Sequence, residues 1–483
     1  MIFFPKKQTN IVNILLSFFL ILFTLRCAPS KLNGACDPES ENFLFSALLE
    51  FGSSDGKFLC PMFSGITPLR LDYGTDFLVF KQDEPISNLK PFVSEPIDHC
   101  ESTPQLPSGV ILNKNNCEIS GTPSVGLNAT KYLITAKNQN KQITTPLVIK
   151  SLFIPKFVFV ANLGSGLINS FTIDANTGVL NASGFVAAGG GPESMAISPN
   201  QKFLTVANRN TNNISQFLIN PTNGNLTLVD TVLSGGNTPI SVNYHPTKDL
   251  IYIRNSDNFS IFSVNPLTGN VTLVHSIPMA YASGHFLIDY FGNFLYDAFY
   301  NGNLIESYQI DMITGFPNPN PVQVIPSDIR PEKMTFHANG KTLYVSFDTG
   351  NNISTYQIDS NTGFMSSFFP PTPSSGIVSG SIATDPLGRF LYKTNRDTNT
   401  ISMFATNPVT GELSPLPPNT ITTGTEPLGI TVDPSGKFLY NTNIASGTVG
   451  IFLINQSNGS LTTNGTAPTS TSPAVIVTAG SNP

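Results

Sequence analysis

A short turn that ends in glycine recurs along the C-terminal two thirds of the chain at an almost constant interval. The seven glycines of these turns lie 45 to 48 residues apart, at positions 178, 224, 269, 315, 363, 411 and 459. Each interval also holds a strand that closes on a turn ("GITVDPSG"), an apolar strand ("KFLYNTN"), an alternating strand ("TVGIFLIN") and a polar strand ("GSLTTNGT"). The 38 Gly, 38 Pro and 36 Phe of the sequence suit short strands and tight turns. The chain is therefore predicted to be all-β, with seven units of four strands.

A four-stranded sheet of this kind exposes apolar side chains on both faces, and only neighbouring sheets can cover them. Repeats of about 40 to 50 residues with four strands are typical of β-propeller blades. An open stack is the alternative to a closed ring, and the chain ends decide between them. The first unit begins at Phe157 with its second strand, whereas the segment "SPAVIVTAG", Ser472 to Gly480, has no partner of its own. We therefore expect this last strand to complete the first blade and close a seven-bladed propeller over residues 151–483.

Residues 66–150 do not follow the repeat. They contain the segments "LPSGVILNKNNCEISGTP" from Leu106 and "KYLITAKNQNKQITTPLVI" from Lys131. In the second segment Tyr132, Ile134 and Ala136 occupy alternate positions, as in a half-buried strand. The two segments resemble the Ig-like modules of bacterial surface proteins. The resemblance implies a small β-sandwich that serves as a spacer or an adhesive surface.

Residues 1–26 have the anatomy of a signal peptide, because Lys6 and Lys7 precede an apolar stretch from about residue 11 to residue 25. Cys27 follows directly, and the segment "FTLRC" resembles a lipobox, whose Cys is lipidated and becomes the mature N-terminus. The resemblance implies a lipoprotein of the bacterial cell envelope, periplasmic or surface-exposed, that is held to the membrane by a lipid on Cys27. Residues 27–65 would then form a tether. An ordinary signal peptide and an uncleaved anchor are the alternatives.

The other four cysteines are even in number, and disulfides persist outside the cytoplasm. We predict that Cys100 pairs with Cys117 and that Cys36 pairs with Cys60; four free thiols are the alternative. No pair has the CxxC spacing of a zinc or redox site. Only 12% of residues are charged, the formal net charge is -6, and no basic block follows the N-terminus. We therefore expect no nucleic-acid partner.

The repeated pattern seen in "DPSGKFLYNTN", Asp433 to Asn443, resembles the lactonase family of seven-bladed propellers over Phe157 to Gly480. The family includes bacterial 6-phosphogluconolactonase and fungal carboxy-muconate cyclase. The pattern specifies turns and blade packing, so the resemblance implies the fold first and lactone hydrolysis second. Family enzymes often carry His directly after Pro at the start of an innermost strand. The matching positions here are Glu193, Ile240, Glu332 and Leu428.

In a propeller, the loops that enter the innermost strands and those that leave the second strands lie on one face around the channel. Charged side chains on these loops are therefore expected to share a rim. A lactone hydrolase needs a base that activates water and cations that hold anionic groups. The candidate catalytic residues are Glu193, Glu332 and His285. The candidate ligand-binding residues are Arg209, Arg254, Arg330 and Arg396. Solvated rim charges that pair with one another are the alternative, and His245 and His337 are expected to cap turns on the opposite face.

Three functions follow as hypotheses. The first is an exported, lipid-anchored propeller that presents a binding face to a protein or a small molecule, because every informative motif serves the backbone. The second is a hydrolase that acts on a sugar lactone through Glu193, Glu332 and nearby Arg residues. The third is a structural adhesin domain. No motif indicates a cofactor, a metal or a phosphate-binding loop.

Overall fold

The computed structural model describes residues 69–279, 284–367, 370–374, 376 and 378–480. The regular structure of these residues is all β-strand, and none of them belongs to a helix that could cross a membrane. The all-β prediction is confirmed. The predicted signal peptide and tether lie outside the described residues, as do Cys27, Cys36 and Cys60.

The N-terminal part of the described chain is a small module of eight strands packed around one apolar core. Its largest sheet has four strands, and the two longest strands are neighbours in it. Tyr132, Ile134 and Ala136 are buried, which confirms the alternation expected from the sequence. The predicted disulfide between Cys100 and Cys117 is present and joins the sheet to this core. The strands are Leu71–Asp72, Phe77–Lys81, Phe92–Val93, His99–Thr103, Val110–Leu112, Ile119–Gly121, Leu127–Lys137 and Gln142–Leu152.

The rest of the chain forms seven antiparallel sheets, which are the blades of a propeller. Blade 1 contains Pro155–Asn162, Leu167–Ile173, Leu180–Ala187 and Pro473–Gly480. Blade 2 contains Pro192–Ile197, Phe203–Asn208, Asn213–Ile219 and Leu226–Leu233. Blade 3 contains Ser241–Tyr244, Leu250–Arg254, Asn258–Val264 and Val271–Pro278. Blade 4 contains His285–Ile288, Phe294–Phe299, Leu304–Gln309 and Gln323–Pro326. Blade 5 contains Pro331–Phe336, Thr342–Phe347, Asn352–Ile358, Met365–Ser367 and Thr372–Pro373. Blade 6 contains Ser379–Thr384, Phe390–Asn395, Thr400–Thr406 and Leu413–Thr422. Blade 7 contains Pro427–Val432, Phe438–Asn443, Thr448–Ile454 and Leu461–Pro468.

The C-terminal strand closes the ring as the sequence predicts. Pro473–Gly480 pairs antiparallel with Pro155–Asn162 and takes the innermost position of blade 1. It also contacts the innermost strands of blade 7 and blade 2, so the innermost strands form an unbroken circle around the channel. Ala474, Ile476 and Ala479 are buried in this strand. The closed arrangement covers sheet edges that an open stack would expose.

The repeated glycine turns hold neighbouring blades together. All seven glycines have positive φ angles, between 72° and 83°, which a residue with a Cβ rarely adopts. Each also lies against the start of the second strand of the preceding blade; a Cβ on Gly459 would stand 2.2 Å from Cδ1 of Phe390. In four blades a tyrosine of the second strand donates a hydrogen bond to the carbonyl of the glycine in the next blade. These tyrosines are Tyr252, Tyr344, Tyr392 and Tyr440.

The module packs on one face of the propeller, the face that carries the turns between first and second strands, which we call the lower face. Asn128 Nδ2 of the module donates to the carbonyl of Pro199, 3.3 Å away. Lys341 of blade 5 pairs with Asp76 of the module. The Lys150 ammonium of the module lies over the ring of Tyr290 of the propeller, 5.5 Å from the ring centroid. The opposite face, the rim, is therefore the face that the module does not cover.

Candidate functional site

The innermost strands all run from the rim toward the lower face, so their first residues meet at the rim end of the channel. Glu193 and Glu332 are the second residues of their strands, and His285 is the first residue of its strand. A cavity of about 220 Å³ opens there, and all three side chains line it together with Lys333. The structure thus brings the three candidate catalytic residues together at one site, as expected from the sequence.

Glu332 is the most perturbed acid of this cavity. Its Oε2 atom is buried and has no hydrogen-bond partner in the described part of the chain. Burial raises the pKa of the Glu332 carboxyl to about 6; Asp348 and Glu193 act in the same direction, and Lys333 and Arg396 oppose it. A carboxylate with a free oxygen and a pKa close to neutrality can take a proton from water.

Glu193 differs from Glu332 because it has a counter-ion. Arg209 Nη1 lies 3.7 Å from Glu193 Oε2, and the arginine side chain is 53% exposed at the rim. A pair this exposed contributes little to stability. Its charge nevertheless acts on Glu332, whose pKa it raises. Glu193 therefore helps to keep Glu332 basic.

His285 is neutral in this environment. Burial, and then the positive charge of Lys333, lower the pKa of His285 to about 3. Its Nδ1 atom is buried and has no hydrogen-bond partner among the described residues. A neutral imidazole with a free ring nitrogen can exchange a hydrogen bond with a ligand in the cavity, but it carries no charge to offer an anion.

Besides Arg209, two more of the four candidate arginines lie near the rim, with different partners. Arg330 Nη1 lies 3.5 Å from Asp348 Oδ2, and its guanidinium lies over the ring of Tyr300 at 5.4 Å. Asp348 also accepts a hydrogen bond from the Tyr300 hydroxyl. The Nε atom of Arg396 is buried without a partner among the described residues, and its charge lowers the pKa of Glu332. Arg396 is thus the arginine that acts directly on the central carboxyl.

Arg254 does not lie where the sequence suggested. It has no exposed surface and is enclosed between blades 3 and 4. Its Nε atom lies 3.1 Å from Asp297 Oδ2, and its guanidinium packs over Phe259 and Phe299 at 4.9 and 5.5 Å. The expectation of a rim position is wrong because Asp297 of the next blade supplies a buried counter-charge that draws the side chain inward.

Two lysines near Glu332 were missed in the sequence. Lys333 follows Glu332 directly and lines the same cavity. Lys393 is fully buried in the second strand of blade 6 and donates to Asn395 Oδ1 at 3.0 Å. Burial lowers the pKa of Lys393 to about 8, and the charges of Asp397 and Glu332 act against that shift. A charged residue directly after the apolar run "FLY", within a second strand, was the available signal.

The histidines of the lower face act as expected. His245 Nδ1 accepts hydrogen bonds from the backbone of Thr247 and Lys248 at 3.2 and 3.1 Å. His337 Nδ1 accepts one from Asn339 at 3.2 Å. Both therefore cap the turns in which Asp385 and Asp433 stand in later blades. Within the described ranges, no three His, Cys, Asp or Glu side chains are arranged to hold a metal ion.

The cavity can support attack by water on a carbonyl. One carboxyl has a free oxygen and a raised pKa, and a second carboxylate increases its basicity. Lys333 lines the same cavity, and the positive charges of Lys393 and Arg396 also act on this carboxyl. General bases and preorganised cations are the two ingredients of ester hydrolysis.

Comparisons with known families agree with this architecture. The model of the family described as "Lactonase, 7-bladed beta-propeller" matches residues 153–244, 191–288 and 326–478, together more than half of the chain. A second family model, "Putative Ig domain", matches residues 81–151, within the module. No curated protein matches the chain.

Solved structures share the propeller fold at low sequence identity. A putative 6-phosphogluconolactonase from Bacteroides fragilis is 18% identical with a TM-score of 0.61, over 67% of this chain and 98% of that one. The periplasmic gluconolactonase of Pseudomonas aeruginosa is 17% identical with a TM-score of 0.59, over 68% and 99%. A protein from Lactobacillus plantarum is 18% identical with a TM-score of 0.58, over 67% and 99%. Likeness at these identities concerns the fold alone.

The seven glycine turns, the ring closed by the last strand and the extent of the family match lead to one conclusion. The chain belongs to the lactonase family of seven-bladed β-propellers.

Proposed function

We propose that the protein hydrolyses a sugar lactone in the rim cavity, with Glu332 as the general base. The observation that carries the proposal is the buried, unpartnered Oε2 atom of Glu332 in a cavity shared with Glu193 and His285. Membership of the lactonase family supports hydrolysis over the alternative of a face that only binds.

The proposed reaction begins when the Glu332 carboxylate removes a proton from a water molecule in the cavity. The water oxygen attacks the lactone carbonyl carbon, and negative charge develops on the carbonyl oxygen. Lys333, Lys393 and Arg396 stabilise that charge, because they already concentrate positive potential near Glu332. The ring C–O bond then breaks, and the leaving alkoxide takes the proton back from Glu332. Lactone and water are converted into one hydroxy acid.

The test is a hydrolysis assay of the full chain with gluconolactone and 6-phosphogluconolactone, corrected for spontaneous ring opening. We expect Glu332→Gln to reduce kcat/KM by about 100-fold or more, the usual range for loss of a general base. Glu412→Gln is the matched control, because Glu412 is an exposed acid on a glycine turn of the lower face. Rates of the parent chain equal to spontaneous hydrolysis for both lactones, or full activity of Glu332→Gln, would refute the proposal.

We propose in addition that the protein is exported and anchored to the bacterial envelope through a lipid on Cys27. The proposal is supported by the sequence "FTLRC" at the end of an apolar stretch that has two lysines ahead of it. Labelling of expressing bacteria with a tagged fatty acid should mark the parent chain and a Cys100→Ser variant, but not Cys27→Ser. Equal labelling of the Cys27 variant, or no label on any of the three chains, would contradict it.

A further inference from the structure

A second cavity, of about 300 Å³, lies between the module and the lower face of the propeller. On the module side it is lined by Asn128, Ala129 and Lys150. On the propeller side it is lined by the ends of the innermost strands of blades 2, 3 and 4 and by the turns that follow them. It is therefore on the opposite face from the rim cavity and has its own set of side chains.

Lys150 is the cation of this cavity. It belongs to the last strand of the module, and its ammonium stands over the ring of Tyr290, 5.5 Å from the centroid. It donates no hydrogen bond to any residue in the described part of the chain, although an ammonium has three N–H donors. Burial lowers the pKa of Lys150 to about 8, while the charge of Asp385 acts against that shift. The ring of Tyr290 attracts the positive charge of Lys150, but it does not serve as a conventional hydrogen-bond acceptor for the three N–H groups.

The other polar groups of the cavity already have protein partners. Asn128 and Asn243 donate to the carbonyls of Pro199 and Phe286. Asp289 Oδ1 accepts two backbone N–H groups of its own turn, at 2.6 and 2.9 Å. The half-buried Lys150 ammonium thus lines a cavity in which it donates no hydrogen bond to a described residue, and a partly desolvated cation without acceptors is costly.

We propose that this cavity is a binding site for a small oxyanion, a carboxylate or a phosphate, with Lys150 as its charged contact. The anion would accept the free N–H groups of Lys150 and lie between the module and the propeller. Since any ligand that binds the folded state stabilises it, anion binding would hold the module on the lower face. The inference does not depend on hydrolysis at the rim, because no residue named for that reaction lines this cavity.

The test is the melting temperature of the full chain at pH 7 in sodium phosphate, sodium acetate or sodium chloride at equal ionic strength. Excluded salts stabilise proteins in general, so the comparison that counts is between variants. We expect phosphate, acetate or both to raise the Tm of the parent over chloride by about 2 to 4 °C more than that of Lys150→Met. Lys150→Arg should keep the shift, and so should Lys202→Met, which removes an exposed lysine near the cavity.

The two anions separate the two ligand classes, because a shift with one alone assigns the site to that class. Equal shifts in the parent and Lys150→Met would overturn the proposal and would place any bound anion elsewhere, for example at the rim. If Lys150→Met does not fold, calorimetric titration of the unaltered chain with phosphate and with acetate decides. A single binding site that Lys150→Arg retains and Lys150→Gln loses supports the proposal. A site that Lys150→Gln retains, or the absence of measurable heat for both anions, refutes it.

Discussion

The carboxyl of Glu332 lies in an environment that disfavours its ionised form. This environment lowers the folding stability at neutral pH but makes the carboxylate a better base. Burial raises its pKa in the folded state to about 6, above the ordinary value of about 4.3 in an unfolded chain. The folded state therefore binds the proton more tightly between those values, and ionisation of Glu332 reduces folding stability as the pH rises through 6. The same shift makes the carboxylate a stronger base at pH 7. A residue that lowers stability in this way is typical of a functional site.

The pH dependence of hydrolysis should follow from this carboxyl. A general base works only when deprotonated, so kcat/KM should fall as the pH drops through about 6. Above 6 it should level off until Lys393, whose pKa is about 8, loses its proton. His285 does not titrate in this range, because its pKa is lowered to about 3. The measurement is kcat/KM between pH 4.5 and 8 after subtraction of the spontaneous reaction.

A Glu332→Gln variant serves as the control for this profile, and its residual activity should lack the inflection near 6. A His285→Asn variant should keep the inflection whatever its maximal rate. An inflection that survives Glu332→Gln, or that disappears with His285→Asn, would assign the titration to another group.

The sequence located Glu193, Glu332 and His285 correctly because position in a repeat determines which end of the channel a residue occupies. It did not locate Arg254, because strand register does not reveal whether a side chain turns toward the rim or toward the neighbouring blade. That choice depends on Asp297, 43 residues later, whose charge is visible in the sequence but whose contact is not. The repeat therefore predicts which end of the channel a residue occupies, but not the direction of its side chain at a strand end.

At the scale of the strand, the contact between the second strand of one blade and the glycine turn of the next is repeated along the chain and joins neighbouring blades. Gly178 of blade 1 lies against Phe438 of blade 7, and a Cβ on it would be 2.3 Å from Cδ1 of that ring. The Tyr440 hydroxyl donates to the Gly178 carbonyl at 2.9 Å, in the same contact. These two contacts join the last blade to the first, so they also close the ring.

Removal of the Tyr440 hydroxyl should lower the stability of the fold by a measurable amount. We expect Tyr440→Phe to lower the free energy of unfolding by about 1 kcal/mol, since it leaves the Gly178 carbonyl without its buried donor. The matched control is Tyr296→Phe at the equivalent position of blade 4, whose hydroxyl is buried without a partner in the described part of the chain. That variant should be as stable as the parent or slightly more stable. Denaturant unfolding of the three chains measures the difference, and equal losses in both variants would show that the Tyr440 hydrogen bond contributes nothing.

The elements could be predicted from sequence because each repeat carries its own local signals. The glycine turns need positive φ, the second strands are continuous apolar runs, and the missing strand of blade 1 left a single candidate at the C-terminus. The position of the module on the lower face had no comparable signal in the sequence. Contacts such as Asn128 with Pro199 join residues 71 positions apart and follow no periodic pattern. The packing of the module against the propeller therefore could not be predicted from the sequence.

At the scale of the whole molecule, the last strand connects ring closure to the chemistry of the rim. Residues 474–477 line the rim cavity, while Ala474, Ile476 and Ala479 fill the space between blade 1 and its neighbours. A propeller without this strand would expose the edge of Pro155–Asn162 and leave one wall of the cavity open.

A chain that ends at Thr471 should therefore lose both stability and activity. Truncation of one buried Ile to Ala typically costs about 2 to 5 kcal/mol, and this deletion removes Ile476, two buried alanines and the hydrogen bonds of a whole strand. We expect the calorimetric Tm to fall by about 10 °C or more. The exposed edge should also promote self-association, which size-exclusion chromatography detects. A chain that ends at Gly480 is the control and should match the parent in Tm and in lactone hydrolysis. A chain ending at Thr471 that retained the parental Tm would show that the ring does not depend on its closing strand, and retained hydrolysis would separate the reaction from the rim cavity.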